Sequence, residues 1–521
     1  MSRNGYTRST TVSTVAPVIV QAADPPSAAA RAGDRRAVLA PPVLLGVAAL
    51  VVLAPARDLF LRPVTAQDDG LLLAYPDLVL RGAVPNLDFA TVYGPLTSWV
   101  TAAAFWAIEP SVLVLRSVGL ALRLLALVAV WLLVRRVSRT GAGLAVVGGA
   151  LVVSTTDLMP SAAIGALALG LLALVAAGPD RPVAAWRCGA AGIAGGLAAG
   201  FRWDGALPVV LSLLPVLLAW SGRRRLLLAA GFVVGLLPWA VEVVLAGPDA
   251  VWRNVVTEPL LVSSAGRRLP LTDVPVPLPA GLALVVGVGL AAVVVGARRR
   301  HRLLLALALI CLGQVPYLVS RLDLAHLAPM LVVPIATAVV LASPFAVPGR
   351  VAVGALAGAV VLAALGPLWA YGVKRSVLGR PVASVVVGER SVPLPPAIAP
   401  DVQAAVDAVV RVSRPGDRLA VLPGDPSRAF YNDTYLYFLL PGWRPAPFHL
   451  EMNPGVANAA GSVLPGQVAT ADVVVTDDAW NRSDEPNTAD APGSDATARV
   501  LAGRFVEVGR WGTVRVLQRD R

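Results

Sequence analysis

The sequence predicts a polytopic α-helical membrane protein that ends in a small extracytoplasmic α/β domain. Three observations predict it. Of the 521 residues, 56% are hydrophobic and only 15% charged, at a mean hydropathy of +0.70, which no soluble domain of this size carries. Apolar runs of about 17–24 residues, each long enough to span a bilayer, recur until residue 371. Beyond Tyr371 the composition turns to Asp, Asn, Thr, Tyr and Pro, and the last ~150 residues are an ordinary domain length. The expected division is a tail over 1–36, a transmembrane domain over 37–371 with an outer acidic loop at 56–110, and the α/β domain over 372–521.

The first 36 residues are rich in Ser, Thr, Ala, Pro and Arg and read as a disordered cytoplasmic tail. The apolar run that comes next opens a multispan protein, so it is not a cleavable signal. Spans are expected at 37–55, 111–134, 141–157, 160–178, 187–202, 204–220, 226–247, 279–297, 302–320, 326–343 and 350–371. The segment 95–109 decides the topology. If it crossed, the clusters around Arg135, Arg136, Arg139, Arg223 to Arg225, Arg298 to Arg300, Arg302 and Arg350 would all face outward, against the positive-inside rule. At about fifteen residues, opened by Pro95 and carrying Trp99 and Trp106, it suits an interfacial helix instead. About eleven spans result, with the N-terminus cytoplasmic and the last domain outside. Heavy Ala, Val, Leu and Arg usage fits a GC-rich bacterium, hence a bacterial plasma membrane.

The net charge of +12 sits in short Arg clusters between apolar runs. That is a topology signal rather than a continuous basic face, and it argues against a nucleic-acid partner. Cys188 and Cys311 both lie in apolar runs, so disulfides do not staple the soluble part.

In this topology the unusual polar residues converge on the outer face. Asp68 and Asp69 follow the first span. Two adjacent carboxylates at a low-dielectric edge raise one pKa, which suits a general base; the alternative is a solvated loop or the cap of the helix LLLAYPDLVLRG. Asp88 to Pro95, DFATVYGP, offers Tyr93 as a hydrogen-bond donor, or is an ordinary Pro/Gly return loop. In FRWDG, Arg202 could hold a phosphate with its planar fork, or pair structurally with Asp204. In RLDLAH, Arg321, Asp323 and His326 form either a second phosphate or acceptor contact or a satisfied ion pair with a hydrogen-bonded His. Asp157 lies near the same surface or caps the helix that starts at Ser161. The loop 248–278, with Trp252, Arg253, Glu258, Arg267 and Arg268, is a candidate lid. There is no P-loop, dinucleotide fingerprint, HExxH, GxSxG or Cys/His metal set, so an ATP-driven pump and a nicotinamide enzyme both lose support.

The order of these motifs carries a resemblance. A first span leads to the acidic pair Asp68–Asp69 and a short helix. Then comes G-x-x-P-x-x-D-F-x-x-x-Y-G-P (Gly82, Pro85, Asp88, Phe89, Tyr93, Gly94, Pro95), followed by spans broken by an FRxD and an RxDxxH turn and an outer soluble domain. Over about residues 37–371 this resembles the GT-C type integral-membrane glycosyltransferases, in particular the branch of protein mannosyltransferases and aminoarabinose transferases. The resemblance implies a sugar donor on a polyprenyl phosphate and a cell-envelope glycan, lipid or protein acceptor. It also implies inversion, with Asp68 or Asp69 as base, basic residues such as Arg202, Arg321 and His326 on the donor phosphate, and no cofactor. The physics agrees: a bilayer-anchored donor puts the reacting atoms at headgroup level, and arginine there stabilises the departing phosphate. The competing classes are a transporter or flippase of lipid-linked sugars, which would place its site at the bilayer midplane, and a non-catalytic envelope scaffold.

In the last domain, 400–412 reads as an amphipathic helix, DRLAVLP and ADVVVTDD as strands, and RFVEVGRWGTVRVLQR as a hairpin turning at Gly509 to Gly512. Trp443, Trp480 and the tyrosines 431, 435 and 437 are candidates for glycan contact or for core.

Overall fold

The computed structural model describes residues 28–520, except 67, 263–267, 270, 272–276, 344–346, 429–430, 453–454 and 482–490. The described residues divide at Ala40/Pro41 into two compact units, the second of which holds nearly all of the described elements. The expected tail lies outside the described residues up to 27; helix α1 (Ala28–Leu53) begins inside the segment expected to be irregular, on an alanine-rich stretch that favours helix.

From there to Trp252 the described elements are α1, α2 (Ala56–Leu61), α3 (Asp68–Leu80), α4 (Pro95–Ala107), α5 (Val112–Val134), α6 (Arg139–Val153), α7 (Ala162–Ala177), α8 (Ala185–Phe201), α9 (Trp203–Leu217), α10 (Gly222–Gly235), α11 (Leu237–Ala246) and α12 (Pro248–Trp252). A π-helical turn, Arg253–Val262, and helices over 277–378 complete the bundle. Among the described residues, six helices are long and apolar enough to cross a membrane: Pro41–Leu61, Val112–Val134, Gly222–Ala246, Leu278–Arg299, Arg302–Ser320 and Leu324–Ala342. The chain is an integral membrane protein.

Of the expected eleven spans, six are thus long apolar helices among the described residues, and three others are shorter apolar helices, Arg139–Val153, Ala162–Ala177 and Trp203–Leu217. The difference has a local cause. Ser138 and Ser161 cap α6 and α7, each hydroxyl accepting a backbone N–H, and left-handed Gly178 ends α7. Apolar residues outside those caps extend a hydropathy run without extending the helix. The segment 95–109 forms α4, whose 13 residues rise only ~20 Å, short of the ~30 Å hydrocarbon core. Its Thr97, Ser98, Thr101 and Phe105 face inward, while Trp106 and Ile108 are 80% and 71% exposed.

After the helix Val347–Leu378 the chain becomes α/β. β1 (Ala383–Val387) and β2 (Arg390–Leu394) form an antiparallel hairpin. Five further strands, β3 (Arg418–Pro423), β4 (Arg444–Pro445), β5 (Val473–Asp477), β6 (Phe505–Trp511) and β7 (Val514–Arg519), form one sheet in the order β4-β3-β5-β7-β6. β4, β3 and β5 are parallel; β7 runs antiparallel to both β5 and β6. β3 alternates between two cores: Leu419 and Val421 face the helix Ala399–Val412, while Ala420 and Leu422 face Leu464 and Val468. Burial on both faces explains its continuous apolar run.

The first of those cores is shared. Leu71 to Tyr75 and Leu78 of α3, Phe105 of α4 and Val112, Val114 and Leu115 of α5 pack in one cluster with Val385, Val406, Val421, Tyr435 to Leu440 and Val516. The acidic loop and the α/β domain are therefore built on one hydrophobic core. Tyr435, Tyr437 and Trp443 belong to it, all at most 7% exposed, so they are core residues rather than a glycan platform. Trp480 instead donates its indole N–H to Asp433 at 3.1 Å and meets Tyr431 edge-on.

Candidate active site at the outer loop

The acidic pair opens α3. Thr65 and Asp69 cap each other reciprocally: the Asp69 N–H donates to the Thr65 hydroxyl at 3.0 Å, and the Thr65 N–H to the Asp69 carboxylate at 3.1 Å. Leu71, Leu73, Ala74 and Tyr75 then bury one after another, which docks the helix against the α/β domain. The docking is tight at Gly70, where a Cβ would stand 2.7 Å from the backbone nitrogen of Tyr435 and collide with the Thr434 hydroxyl. That hydroxyl donates to the Ala66 carbonyl at 2.6 Å.

The two aspartates have different surroundings. Asp69 is wholly buried and lies 3.3 Å from Arg116, itself wholly buried. Burial raises the Asp69 carboxyl, while Arg116 and the Thr65 backbone pull it back. Arg116 also donates to the carbonyls of Phe60 and Arg62, at 2.9 and 2.8 Å, and so fixes the stretch of chain leading into α3. Asp68, at the start of α3, is exposed to solvent. Burial, then Glu451 and Asp69, push its carboxyl up to about 6, against the pull of His326 and Arg321.

Those last two come from the RLDLAH turn. Arg321 is extended at the end of the helix Val315–Ser320, and Asp323 caps the next helix by accepting the His326 N–H at 2.8 Å. The same carboxylate holds the His326 ring at 2.7 Å and Arg321 at 2.9 Å. Although burial raises the Asp323 carboxyl, His326 and Arg321 hold it below the ordinary carboxylate range. The ring of His326 is 5.2 Å from that of Tyr317, and Tyr317 lies 4.5 Å under the guanidinium of Arg202. Asp204 grips that guanidinium with both oxygens, at 2.6 and 2.9 Å. Tyr93 is within electrostatic reach of both Arg202 and Tyr317. Asp68, Arg321, His326, Asp323, Arg202, Asp204 and Tyr93 are thereby joined into one continuous polar cluster, with Tyr317 as its link.

The other expected residues stand apart from it. Asp157 pairs with Arg62, and its carbonyl accepts from Arg123, behind Asp69 rather than beside Asp68. Asp88 accepts the Val84 N–H at 2.7 Å and closes its own turn. Apart from Tyr93, the rest of that motif is structural: Phe89 stacks on Tyr75 at 4.9 Å, and Gly94 allows its N–H to reach the Phe201 carbonyl at 3.0 Å where any Cβ would strike Gly200. The candidate lid packs here through its described part. Trp203 donates to the Val255 carbonyl at 3.0 Å, Asn254 donates to Asn86 at 3.1 Å, and Glu258 lies 3.7 Å from His449. Arg267 lies outside the described residues.

Sequence reading missed Glu451, Tyr317 and Arg116. Arg116 and Arg123 were visible as two cations inside an apolar run, a pattern that marks buried, partnered charge. Glu451 reaches Asp68 only through long-range packing and leaves no local signal. Among the described residues no group of three or more His, Cys, Asp or Glu side chains is placed to hold a metal ion.

No protein-family model matches the chain, and no curated protein matches it by sequence. Among solved structures it is similar to ArnT from Cupriavidus metallidurans bound to undecaprenyl phosphate, with a TM-score of 0.57 at 15% identity over 91% of this chain and 97% of that one. The chain has the ArnT fold. The apo form of ArnT gives 0.53 at 14% identity, over 93% and 98% of the two chains. A third similar structure is an Archaeoglobus fulgidus oligosaccharyltransferase complex with zinc and sulfate, at a TM-score of 0.47 and 14% identity over 84% and 68%. The GT-C resemblance carried by the sequence motifs is thus matched by an ArnT-like architecture across nearly the whole chain.

Proposed function

We propose that this protein transfers a sugar from a polyprenyl-phosphate carrier to a cell-envelope acceptor on the outer face of the membrane, with Asp68 as the general base. The observation that carries the reading is an accessible, raised carboxylate at Asp68 within electrostatic reach of Arg321 and His326. The ArnT-like fold supports it, since ArnT is described with undecaprenyl phosphate bound.

A carboxyl with a pKa of about 6 is mostly ionised at neutral pH and still basic enough to take a proton efficiently. Asp68 accepts the proton of an acceptor hydroxyl as that oxygen attacks the anomeric carbon. The bond from that carbon to the phosphate oxygen breaks, the configuration inverts, and polyprenyl phosphate departs as an anion. Arg321 and His326 stabilise that anion, with Arg202 held in a fixed plane by Asp204 and Tyr317 further along the cluster. Asp69 positions the start of α3 through Thr65 and Arg116. The N-terminus is cytoplasmic and the α/β domain extracytoplasmic in this reading.

The test is transfer from a synthetic polyprenyl-phosphate sugar by the purified full chain. Wild type should produce a glycosylated acceptor and Asp68→Asn should not. Full transfer by both Asp68→Asn and Asp69→Asn would remove this loop from the chemistry. Mass spectrometry of envelope glycans in a deletion strain then identifies the sugar by the donor that accumulates and the acceptor by the glycan that is truncated.

A further inference from the structure

At the other end of the bundle lies a cavity of about 560 Å³ lined by Arg135, Arg136, Arg139, Arg181 and Arg187. The helix order fixes its place. α8 carries Arg187 in its first turn and leads into Arg202 in the cluster described above, and α5 runs away from the acidic loop to finish at the cavity. Loop arginines that merely orient a membrane protein lie apart in water. Here two of them are half-buried and donate to the same oxygen, the Val175 carbonyl, Arg136 at 2.7 Å and Arg187 at 2.6 Å.

Two guanidiniums on one neutral acceptor, with three more at the rim, concentrate like charge in a partly enclosed space. Among the described residues none of the five forms an ion pair. Asp180, within electrostatic reach of Arg136, spends its hydrogen bonds on another segment: it accepts the backbone N–H groups of Arg302 and Leu303 at 3.1 and 3.4 Å and faces His301 at 3.5 Å. Burial, and then Arg187, Arg181 and Arg135, pull the Arg136 guanidinium below its ordinary value against the opposing pull of Asp180. The cavity has the volume of a small-molecule site, and its wall also carries Leu132 and Val183.

We infer that this cavity is a binding site for a phosphate-bearing anion. Planar guanidiniums aimed at one space match tetrahedral phosphate oxygens, and a bound anion relieves the repulsion among them that Asp180 offsets only in part. Either a lipid headgroup at the membrane surface or a soluble phosphate supplies that chemistry.

The experiment uses the full chain in a neutral detergent. Native mass spectrometry with phosphatidylglycerol or phosphatidylcholine tests the lipid source, and calorimetric titration with inorganic pyrophosphate tests the soluble one. The pocket variant is Arg139→Gln with Arg181→Gln, two rim residues whose side chains hold no other described contact. The control is Arg223→Gln with Arg224→Gln, at the same end of the bundle but outside the cavity. Each charge-assisted bond lost should weaken binding on the order of tenfold. Selective loss of phosphatidylglycerol in the pocket variant supports a lipid headgroup, and selective loss of pyrophosphate supports a soluble anion. Equal losses in pocket and control variants, or no binding of either probe by wild type, overturn the inference. Arg139→Lys with Arg181→Lys separates the site from misfolding: a folded anion site keeps part of its affinity when the charge is kept.

Discussion

Asp69 and Arg116 form an ion pair in which neither side chain touches solvent, 3.3 Å apart, directly behind the exposed Asp68. Two adjacent aspartates therefore have unlike surroundings, and a pair of isosteric substitutions separates the roles proposed for them. Asp69→Asn leaves Arg116 buried without its counter-charge, and should cost about 3–5 kcal/mol of stability. Asp68→Asn should leave the melting temperature at neutral pH no lower than that of wild type, while reducing kcat about a hundred- to ten-thousand-fold. Thermal melts beside transfer kinetics read both.

The pH dependence of Asp68 has a definite sign. Its folded pKa of about 6 lies above the ordinary value of 3.8, so the fold prefers the protonated form. Its contribution to stability is complete below pH ~4 and lost as pH rises through about 6. Asp68→Asn should therefore raise the melting temperature relative to wild type more at pH 8 than at pH 4. A base must be ionised, so transfer should rise with pH through the same region. Glu451→Gln removes a like charge from beside Asp68 and should move the acidic limb of the kcat/KM profile to lower pH.

Arg202→Lys keeps the charge of Arg202 but loses the two-oxygen grip of Asp204 and the flat stack on Tyr317. With Arg202 on the donor phosphate side, the substitution should raise KM for the lipid-linked donor about tenfold, on the order of one charge-assisted hydrogen bond. KM for the acceptor should change little. Initial rates with each substrate varied in turn distinguish the two.

Gly70→Ala offers a better helix former, yet it should destabilise. The added methyl would sit 2.7 Å from the Tyr435 backbone nitrogen, which cannot swing away as a side chain could. Overpacking of this kind costs about 1–3 kcal/mol, more than the helix propensity gained. Limited proteolysis should show α3 and the segment around Tyr435 loosening together.

Much of this was legible in the sequence, for identifiable reasons. The α/β elements Ala399–Val412, Arg418–Pro423, Val473–Asp477 and the terminal hairpin follow from local periodicity, and the structure places the hairpin turn at Gly512. The turns FRWDG and RLDLAH stood out because charge at a helix junction is rare in an apolar chain. Helix length was less legible, since hydropathy counts residues while Ser138, Ser161 and Gly178 decide where α6 and α7 begin or end. The strand β1, whose partner is β2, carries its apolar residues in the short run ASVVV and was hidden among Pro and Arg. Tyr317 sits inside an apolar run, and only its ring contacts with Arg202 and His326 show it as the joint between two turns.

The Thr434 hydroxyl meets the Ala66 carbonyl across 368 residues of chain. At a synthesis rate of roughly 5–20 residues per second, that separation corresponds to about 20–70 s on the ribosome. For that interval the apolar side of α3 has been made but its partner has not. The acidic loop must wait half-dressed at the membrane until the last domain arrives, and a ribosome stalled between residues 120 and 430 would leave Leu71, Leu73 and Tyr75 without the cover they have in the finished fold.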